Sequence, residues 1–197
     1  MTLRRYGIPG ALAALLVTAG TASAQFHPIE PYVGFGAGQS RFDTDGGTFG
    51  PLARTDDDKD FAWRLFTGTR MWSFVGIELG YIDFGEITAN PTGKADAKGI
   101  DLVAVGFLPL FAQGIHGFDV FVKAGAYWWD GSARNLLPGA DLDDDDGFDW
   151  TAGLGLQYTF GGIGAGRLGV RAEWQRYNDI FDSVDNDVWM GSVVWQF

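Results

Sequence analysis

The 197-residue sequence predicts an all-β fold, an eight-stranded antiparallel up-and-down transmembrane β-barrel. Apolar residues recur at every second position in eight segments, and each segment has the length that a tilted strand needs to cross a bilayer. The links between segments are alternately short and long, as in barrels with tight turns on one side of the membrane and long loops on the other. The 30 glycines and the 15% aromatic content agree with a narrow interior and aromatic girdles.

Composition and charge exclude several other classes of protein. The chain contains no cysteine, which rules out a disulfide framework, a zinc–thiolate site and a cysteine nucleophile. Its 25 acidic and 14 basic residues give a net charge of −11, so nucleic-acid binding, which requires Lys and Arg at the phosphates, is not expected. A hydrophobic content of 46% is too high for a disordered chain.

The first 24 residues have the pattern of a cleaved signal peptide. Arg4-Arg5 supplies a positive start, residues 8–20 form a short apolar core, and Ala22-Ser23-Ala24 is a cleavage signal of small residues. Two parts are therefore expected, a signal peptide over 1–24 and one barrel domain over 25–197. Residues 25–197 contain no run of about 18 apolar residues, so no membrane-spanning helix is expected there.

The first four strands are predicted over 31–42, 61–70, 74–83 and 100–108. The third shows the pattern most clearly, because apolar side chains occupy 75, 77, 79 and 81 while Gly76, Glu78 and Gly80 fill the alternate positions. The fourth is less regular, since Val103 and Val105 share the face of Asp101. A period of two indicates strands rather than helices in all four segments.

The last four strands are predicted over 118–128, 150–160, 168–175 and 188–197. Three short turns, at 71–73, 109–117 and 161–167, and four long loops, at 43–60, 84–98, 129–148 and 176–187, connect the eight strands. With an even number of strands, both termini are expected on the periplasmic side, together with the short turns.

The orientation of the strands separates a membrane barrel from a secreted calyx. One face of the strands carries most of the bulky apolar residues, and the other carries Gly, Ser, Thr and scattered ions. Because glycine is a poor solvated surface but fits a narrow lumen, the bulky face is expected to meet lipid. The aromatic girdles are expected to contain Tyr32, Trp63, Tyr81, Trp128, Trp150, Tyr158, Trp174, Trp189 and Trp195.

Charged residues on the small-residue face form a candidate lumen ion cluster. Its members are Arg64, Glu78, Lys123, Arg171 and Glu173, and Asp101 would complete three acids and three bases. A balanced set is expected because an unpaired buried charge is costly. The cluster is interpreted either as packing of a closed lumen or as a salt-bridged plug that gates a thin water path.

The sequence predicts no enzyme, cofactor or metal site. The two histidines, His27 and His116, lie near the start of the barrel domain and in a short turn, where they assemble no triad or metal site. Residues 164–169 match G-x-G-x-x-G, but a strand follows instead of a helix. Residues 141–152 resemble a calcium loop that lacks its central Gly and its bidentate Glu.

Aspartates concentrate in the predicted loops, notably Asp56-Asp57-Asp58 and residues 143–146. The simplest interpretation is solvation of surface loops. An alternative is that these carboxylates share divalent cations with the phosphates of neighbouring lipopolysaccharide, since hard cations prefer oxygen ligands.

Several stretches resemble the OmpA-like family of eight-stranded outer-membrane barrels, over essentially all of 25–197. The resemblance is carried by residues 32–38, 74–81, 107–110, 122–127, 153–158 and 169–177. It implies a Gram-negative outer-membrane location and places Glu78, Lys123 and Glu173 where the family keeps its lumen ion cluster. Trp195 and the terminal Phe197 are similar to the C-terminal signal read by the barrel-assembly machinery, although Gln196 stands where Arg is usual.

The expected function is a structural or surface role in the cell envelope, with a closed or very narrow lumen. Expected partners are outer-membrane lipid, lipopolysaccharide and the barrel-assembly machinery. A small-solute channel is one alternative. An adhesin or interaction module that acts through the acidic loops is another.

Overall fold

The computed structural model describes residues 29–43, 59–72, 74–89, 93–113, 116–135, 143–163, 165–180 and 184–197. These residues form eight strands, β1 (Glu30–Asp43), β2 (Lys59–Met71), β3 (Val75–Ala89), β4 (Gly93–Gln113), β5 (His116–Asn135), β6 (Asp143–Ile163), β7 (Gly166–Ile180) and β8 (Val184–Gln196). Each strand pairs antiparallel with the next, and β1 pairs with β8, so the sheet is a closed barrel. The predicted fold class is confirmed. In the described ranges no helix is long and apolar enough to cross a membrane.

The strands are longer than the alternation of apolar residues predicts. Parts of the predicted loops 84–98, 129–148 and 176–187 belong to β3, β4, β5, β6, β7 and β8. The apolar alternation ends where the strands leave the lipid. Strand pairing continues beyond that point, because the hydrogen bonds of a sheet join main-chain groups whatever the side chains are. The predicted signal peptide and residues 44–58 of the first loop lie outside the described residues.

The register gives the barrel a strong strand tilt. A path followed from partner to partner leaves β1 at Tyr32 and returns to β1 at Phe42, ten residues further along. The path passes through Gly68, Glu78, Val103, Gly125, Thr151, Tyr177 and Asn186. An eight-stranded barrel has an interior just wide enough for side chains. The tilt brings residues from different positions on the strands to one level of that interior.

The outer wall is apolar, as the predicted orientation requires. Leu102, Val122 and Trp189 are 58%, 59% and 64% exposed, and they lie on strands in different parts of the wall. An exposed apolar surface that continues around the whole wall is far larger than soluble proteins tolerate, and it fits a surface covered by lipid.

The interior contains more than the glycine and ions expected from the sequence. Phe66, Phe121 and other aromatic side chains are buried inside the barrel, and glycines opposite them make the room. A Cβ on Gly34 would lie 2.2 Å from the Phe66 ring, and one on Gly155 would lie 2.4 Å from the Phe121 ring. Glycine therefore accommodates large inward side chains from neighbouring strands.

Tyr32 is a second correction, because it was expected in a girdle and is only 1% exposed inside the barrel. It has the same strand parity as Gly34, so its ring points inward although it lies near the strand end.

The interior has apolar layers on both sides of a charged middle. The end of the barrel that holds Ile29, Phe197 and the short turns is here called the turn end, and the opposite end the loop end. Towards the turn end lie two apolar clusters, Tyr32, Phe66 and Val194, and Val103, Val105, Phe107 and Phe121. Towards the loop end lies a larger one, Ala62, Ile82, Phe84, Ala97, Tyr127, Trp129, Tyr177, Val188 and Met190.

Candidate functional site

The structure brings all the candidate lumen ions together. Arg64 on β2, Glu78 on β3, Asp101 on β4, Lys123 on β5 and the pair Arg171 and Glu173 on β7 face the interior, and none is more than 5% exposed. These six residues are called the central network. Each occupies an inward position because strand side chains alternate between the two faces of the wall.

Glu78 is the centre of this network. Its Oε1 accepts hydrogen bonds from Arg171 Nη1 at 2.5 Å and from the Tyr32 hydroxyl at 2.9 Å. Its Oε2 lies 3.3 Å from Arg64 Nη1 and 3.1 Å from Lys123 Nζ. Three cations therefore converge on one carboxylate, and further acids are needed to balance them.

Asp101 and Arg64 form a two-pronged ion pair. Arg64 Nε donates to Oδ2 at 2.9 Å and Nη2 donates to Oδ1 at 2.6 Å, which is the fork geometry of strong Arg–carboxylate pairs. The Tyr177 hydroxyl also donates to Oδ2, at 2.9 Å. Gly80 makes room for this pair, because a Cβ there would lie 2.6 Å from both Arg64 Nε and Asp101 Oδ1.

Glu173 balances the remaining positive charge. Its Oε2 lies 2.7 Å from Lys123 Nζ, and its carboxylate also faces Arg64 and Arg171 at 3.6 and 3.8 Å. The contact with Lys123 is an ion pair without the angles of a directional hydrogen bond. Lys123 thus bridges Glu78 and Glu173, and the network carries three cations and three carboxylates.

The ring of Phe66 lies close to all three cations of the central network. The Phe66 centroid is 4.9 Å from Arg64 Cζ, 5.7 Å from Lys123 Nζ and 5.0 Å from Arg171 Cζ. The face of an aromatic ring attracts cations electrostatically, so Phe66 adds to the stabilisation of the buried positive charge.

The network continues towards the turn end through an amide. Arg171 donates from Nε and Nη2 to Gln157 Oε1 at 3.1 and 2.9 Å, and Gln157 in turn lies 3.4 Å from the Thr159 hydroxyl. Gln157, Tyr32, Tyr177 and Phe66 were not identified from the sequence as parts of the site. Their inward parity is the signal that could have found them. Tyr32 and Gln157 share a face with the glycines of β1 and β6, and Phe66 and Tyr177 share a face with the charged residues of β2 and β7.

A second buried ion pair lies nearer the turn end and was also missed. Arg70 on β2 donates from Nη1 and Nη2 to the two oxygens of Asp119 on β5, at 3.1 and 3.0 Å. The guanidinium lies 4.4 Å from the centre of the Phe107 ring. Arg70 and Asp119 are 8% and 5% exposed. Since β2 and β5 are not neighbours, the pair crosses the lumen.

The remaining predicted residues lie on the outer wall or outside the described parts. Trp195 is half-buried on β8, and Phe197 is 60% exposed while its amide donates to the Pro31 carbonyl at 3.0 Å. His27 lies outside the described residues. Among the described residues, no group of three or more His, Cys, Asp or Glu side chains is placed to hold a metal ion.

Comparison with known proteins relates the chain to membrane barrels. The family model described as "Outer membrane protein beta-barrel domain" matches residues 10–197. Comparison with curated proteins gives no match.

Similar solved structures share the fold at low identity. Ail, the attachment invasion locus protein of Yersinia pestis, is 15% identical with a TM-score of 0.57, over 86% of this chain and 99% of Ail. Neisserial surface protein A is 16% identical with a TM-score of 0.52, over 85% and 97%. The N-terminal barrel domain of Pseudomonas aeruginosa OprF is 14% identical with a TM-score of 0.53, over 84% and 97%.

Proposed function

Since the chain belongs to the outer membrane protein β-barrel family and is thus a Gram-negative outer-membrane protein, we propose that it is a non-enzymatic barrel with a closed lumen and a structural or surface role. The observation that carries this proposal is the central network, which ties five strands together across the interior. Its ion pairs between 2.5 and 3.8 Å leave no space for water between the charged groups.

Breaking the network to open a pore would be unfavourable. Removing one partner of a buried ion pair costs roughly 3–5 kcal/mol, because the other charge is left unpaired in a medium of low dielectric. The apolar clusters on either side of the network exclude the water that could solvate separated charges. Both features support a closed state at equilibrium.

The assignment as a non-enzyme rests on how the buried acids are used. Glu78, Asp101 and Glu173 are each engaged by cations, and the first two also accept a tyrosine hydroxyl. Proton uptake by any of these carboxylates would leave a buried cation without its counter-charge, which opposes acid–base catalysis at this site. The arrangement supports a role in stability.

Conductance of the purified barrel in a planar bilayer tests the closed lumen. We expect no discrete current steps from protein whose native fold is verified by heat-modifiable gel migration. Reproducible steps would overturn the closed-lumen proposal and favour the small-solute channel instead.

A surface interaction is the second candidate, and the loop end favours it. A row of charges crosses four neighbouring strands there, because Asp83 lies opposite Lys98, Lys98 opposite Asp130, and Asp130 opposite Asp146. Lys98, Asp130 and Asp146 are exposed. Like charges directly opposite on neighbouring strands repel, as Asp130 and Asp146 do here, so a basic group or a divalent cation shared with lipopolysaccharide phosphate would relieve them. Ail, a structural neighbour, is called an attachment invasion locus protein.

Two measurements test this second candidate. Whole cells that express the barrel with residues 47–56 or 137–141 deleted should lose binding to a partner surface that the parent binds, while the deleted barrels still migrate as folded. Calcium titration of the barrel in lipid should slow proteolysis of the loops. Unchanged binding after both deletions, or proteolysis that is unaffected by calcium, would remove the corresponding part of the candidate.

We further propose that Trp195 and Phe197 form the signal for the barrel-assembly machinery. Phe197 is exposed on the outer wall at the turn end, where the last strand joins the first. Replacing Phe197 with Ala should reduce the amount of folded barrel in the outer membrane, whereas the purified variant should still fold into detergent. Equal outer-membrane levels would contradict the assignment.

A further inference from the structure

The lumen is crossed at a second level by Arg70, Asp119 and Phe107, here called the mouth clasp. The two-pronged ion pair spans from β2 to β5, and the Phe107 ring covers the guanidinium at 4.4 Å. Gly76 on β3 makes room for this ring, because a Cβ there would lie 3.1 Å from Phe107 Cε2. The three clasp residues lie on β2, β4 and β5, and together with Gly76 on β3 they occupy four neighbouring strands, half of the circumference at the turn end.

The mouth clasp is separate from the central network. Arg70 lies six residues from Arg64 along β2, and Asp119 lies four residues from Lys123 along β5, which is about 20 and 13 Å of extended strand. Arg70 pairs with Asp119, whereas the cations of the central network pair with its own three carboxylates, so each level has its own ion pairs. The apolar side chains of Phe121 and Val105 lie between the two levels.

We propose that the mouth clasp is an independent seal at the periplasmic end, so that the lumen is closed in series at two levels. The proposal rests on the proposed closed-lumen function and extends it. Its physical basis is that a fork-shaped, nearly buried Arg–carboxylate pair beneath an aromatic ring holds both charges in place without help from the network above it. Opening one level would therefore leave the other closed.

A cysteine reporter between the two levels gives a direct test. The chain contains no cysteine, so Val194→Cys introduces a unique thiol. Val194 is fully buried on β8 and clusters with Tyr32 and Phe66. In lipid nanodiscs, a small charged methanethiosulfonate reagent should label this thiol slowly in the otherwise unchanged barrel. Adding Arg70→Ala and Asp119→Ala together should accelerate labelling by on the order of tenfold or more, because access limits the reaction of a buried thiol.

A matched control uses the same two residue types on the outer wall. Arg176 Nε donates to Asp187 at 3.0 Å, and both side chains are partly exposed. Adding Arg176→Ala and Asp187→Ala to the reporter should leave the labelling rate unchanged. All variants are first checked for heat-modifiable migration, and the Arg70→Gln, Asp119→Asn pair replaces the alanine pair if the latter fails to fold.

Planar-bilayer currents separate the proposed serial closure from a single seal. The alanine pair at the mouth clasp should remain without current steps, and so should Lys123→Ala with Glu173→Ala in the central network.

Each other outcome has a defined meaning. The clasp would be overturned as a seal if the reporter thiol were labelled no faster in the folded clasp variant than in the barrel with the clasp intact. Current steps from either two-residue variant alone would overturn closure in series. Current steps from the parent barrel would instead overturn the proposed closed-lumen function itself.

Discussion

At Glu78, two arginines, a lysine and a tyrosine hydroxyl converge on one carboxylate. The neutrality of the central network therefore depends on every member, and the loss of one charge leaves the rest unbalanced. Removal of Lys123 affects Glu173 most, because the other two cations lie 3.6 and 3.8 Å from that carboxylate instead of 2.7 Å.

Lys123→Ala should lower the stability of the barrel by on the order of 3 kcal/mol, since it leaves a buried carboxylate without its nearest partner. The temperature at which the folded gel band converts to the unfolded one measures this change. The double variant Lys123→Met, Glu173→Gln is the control, because it removes both charges and nearly conserves volume. It should cost less than the single change, and an equal or greater loss would contradict the electrostatic explanation.

Gly80→Ala should destabilise the barrel by roughly 1–3 kcal/mol, the usual cost of overpacking. The added methyl would lie 2.6 Å from the Arg64–Asp101 fork. Urea unfolding in lipid vesicles measures the loss. Gly191→Ala is the matched control, since a Cβ on Gly191 meets nothing within 4 Å, and it should be neutral or slightly stabilising. Equal effects of the two substitutions would refute the steric argument.

Parity within a strand was enough to place the central network, because Arg64, Glu78 and Lys123 each sit in a clear alternation. The mouth clasp was missed for a physical reason. Arg70 and Asp119 lie near strand ends, where a charge is normally expected to reach solvent. They meet only because the closed barrel brings side chains of the non-neighbouring strands β2 and β5 together across the lumen.

A bulge bends the loop end of β3. The register shifts between Asp83 and Glu86, and Gly85 has a φ of 84°, a conformation that side chains disfavour. The bulge is held from both sides, because Gly85 N donates to Asp83 Oδ1 at 3.0 Å and Ser40 Oγ donates to the Phe84 carbonyl at 2.7 Å.

Gly85→Ala should therefore destabilise the barrel by about 1–3 kcal/mol through backbone strain. Its Cβ would also approach the Phe61 carbonyl oxygen to 2.6 Å. Gly106→Ala provides a control on β4, because its Cβ would meet Val122 at 3.4 Å, close to an ordinary contact distance. Urea midpoints of the two variants should differ clearly, and coincident midpoints would argue against strain at the bulge.

The number of strands and most of their facing residues followed from the period of two. The ends of the strands could not be predicted in this way. The alternation arises from contact with lipid, and it ends where β4, β5 and β6 extend beyond the membrane towards the loops. Bulges such as the one at Gly85 add a residue to one strand, which a pattern within that strand does not reveal.

Viewed as a whole, the barrel has an apolar belt below a charged loop end. On β6, Leu154 is 53% exposed within the belt, and Asp146 is exposed on the same side of the strand near the loops. Leu154→Arg should cost about 2–4 kcal/mol of folding free energy in a bilayer, whereas Asp146→Arg near the interface should cost at most about 1 kcal/mol. Reversible unfolding in phospholipid vesicles measures both. A larger cost at Asp146 would contradict the assigned membrane position.

The layered interior was the least predictable feature of the molecule. Which inward residues share a level depends on the ten-residue offset around the wall, and that offset results from all eight pairings together. The glycines opposite Phe66 and Phe121 show the same dependence, since each is required only because a ring from a neighbouring strand occupies the space of its missing side chain.

The seam between β1 and β8 couples the two ends of the polypeptide. Tyr32 pairs with Gln196 and Asp43 with Asp185. One edge of the first strand therefore stays unpaired until the last strand of the chain is present. Such contacts give a high contact order, and loops of this length close slowly. The exported chain must therefore stay free of aggregation until it has been delivered in full, because the apolar faces of its strands stay uncovered until β1 and β8 pair.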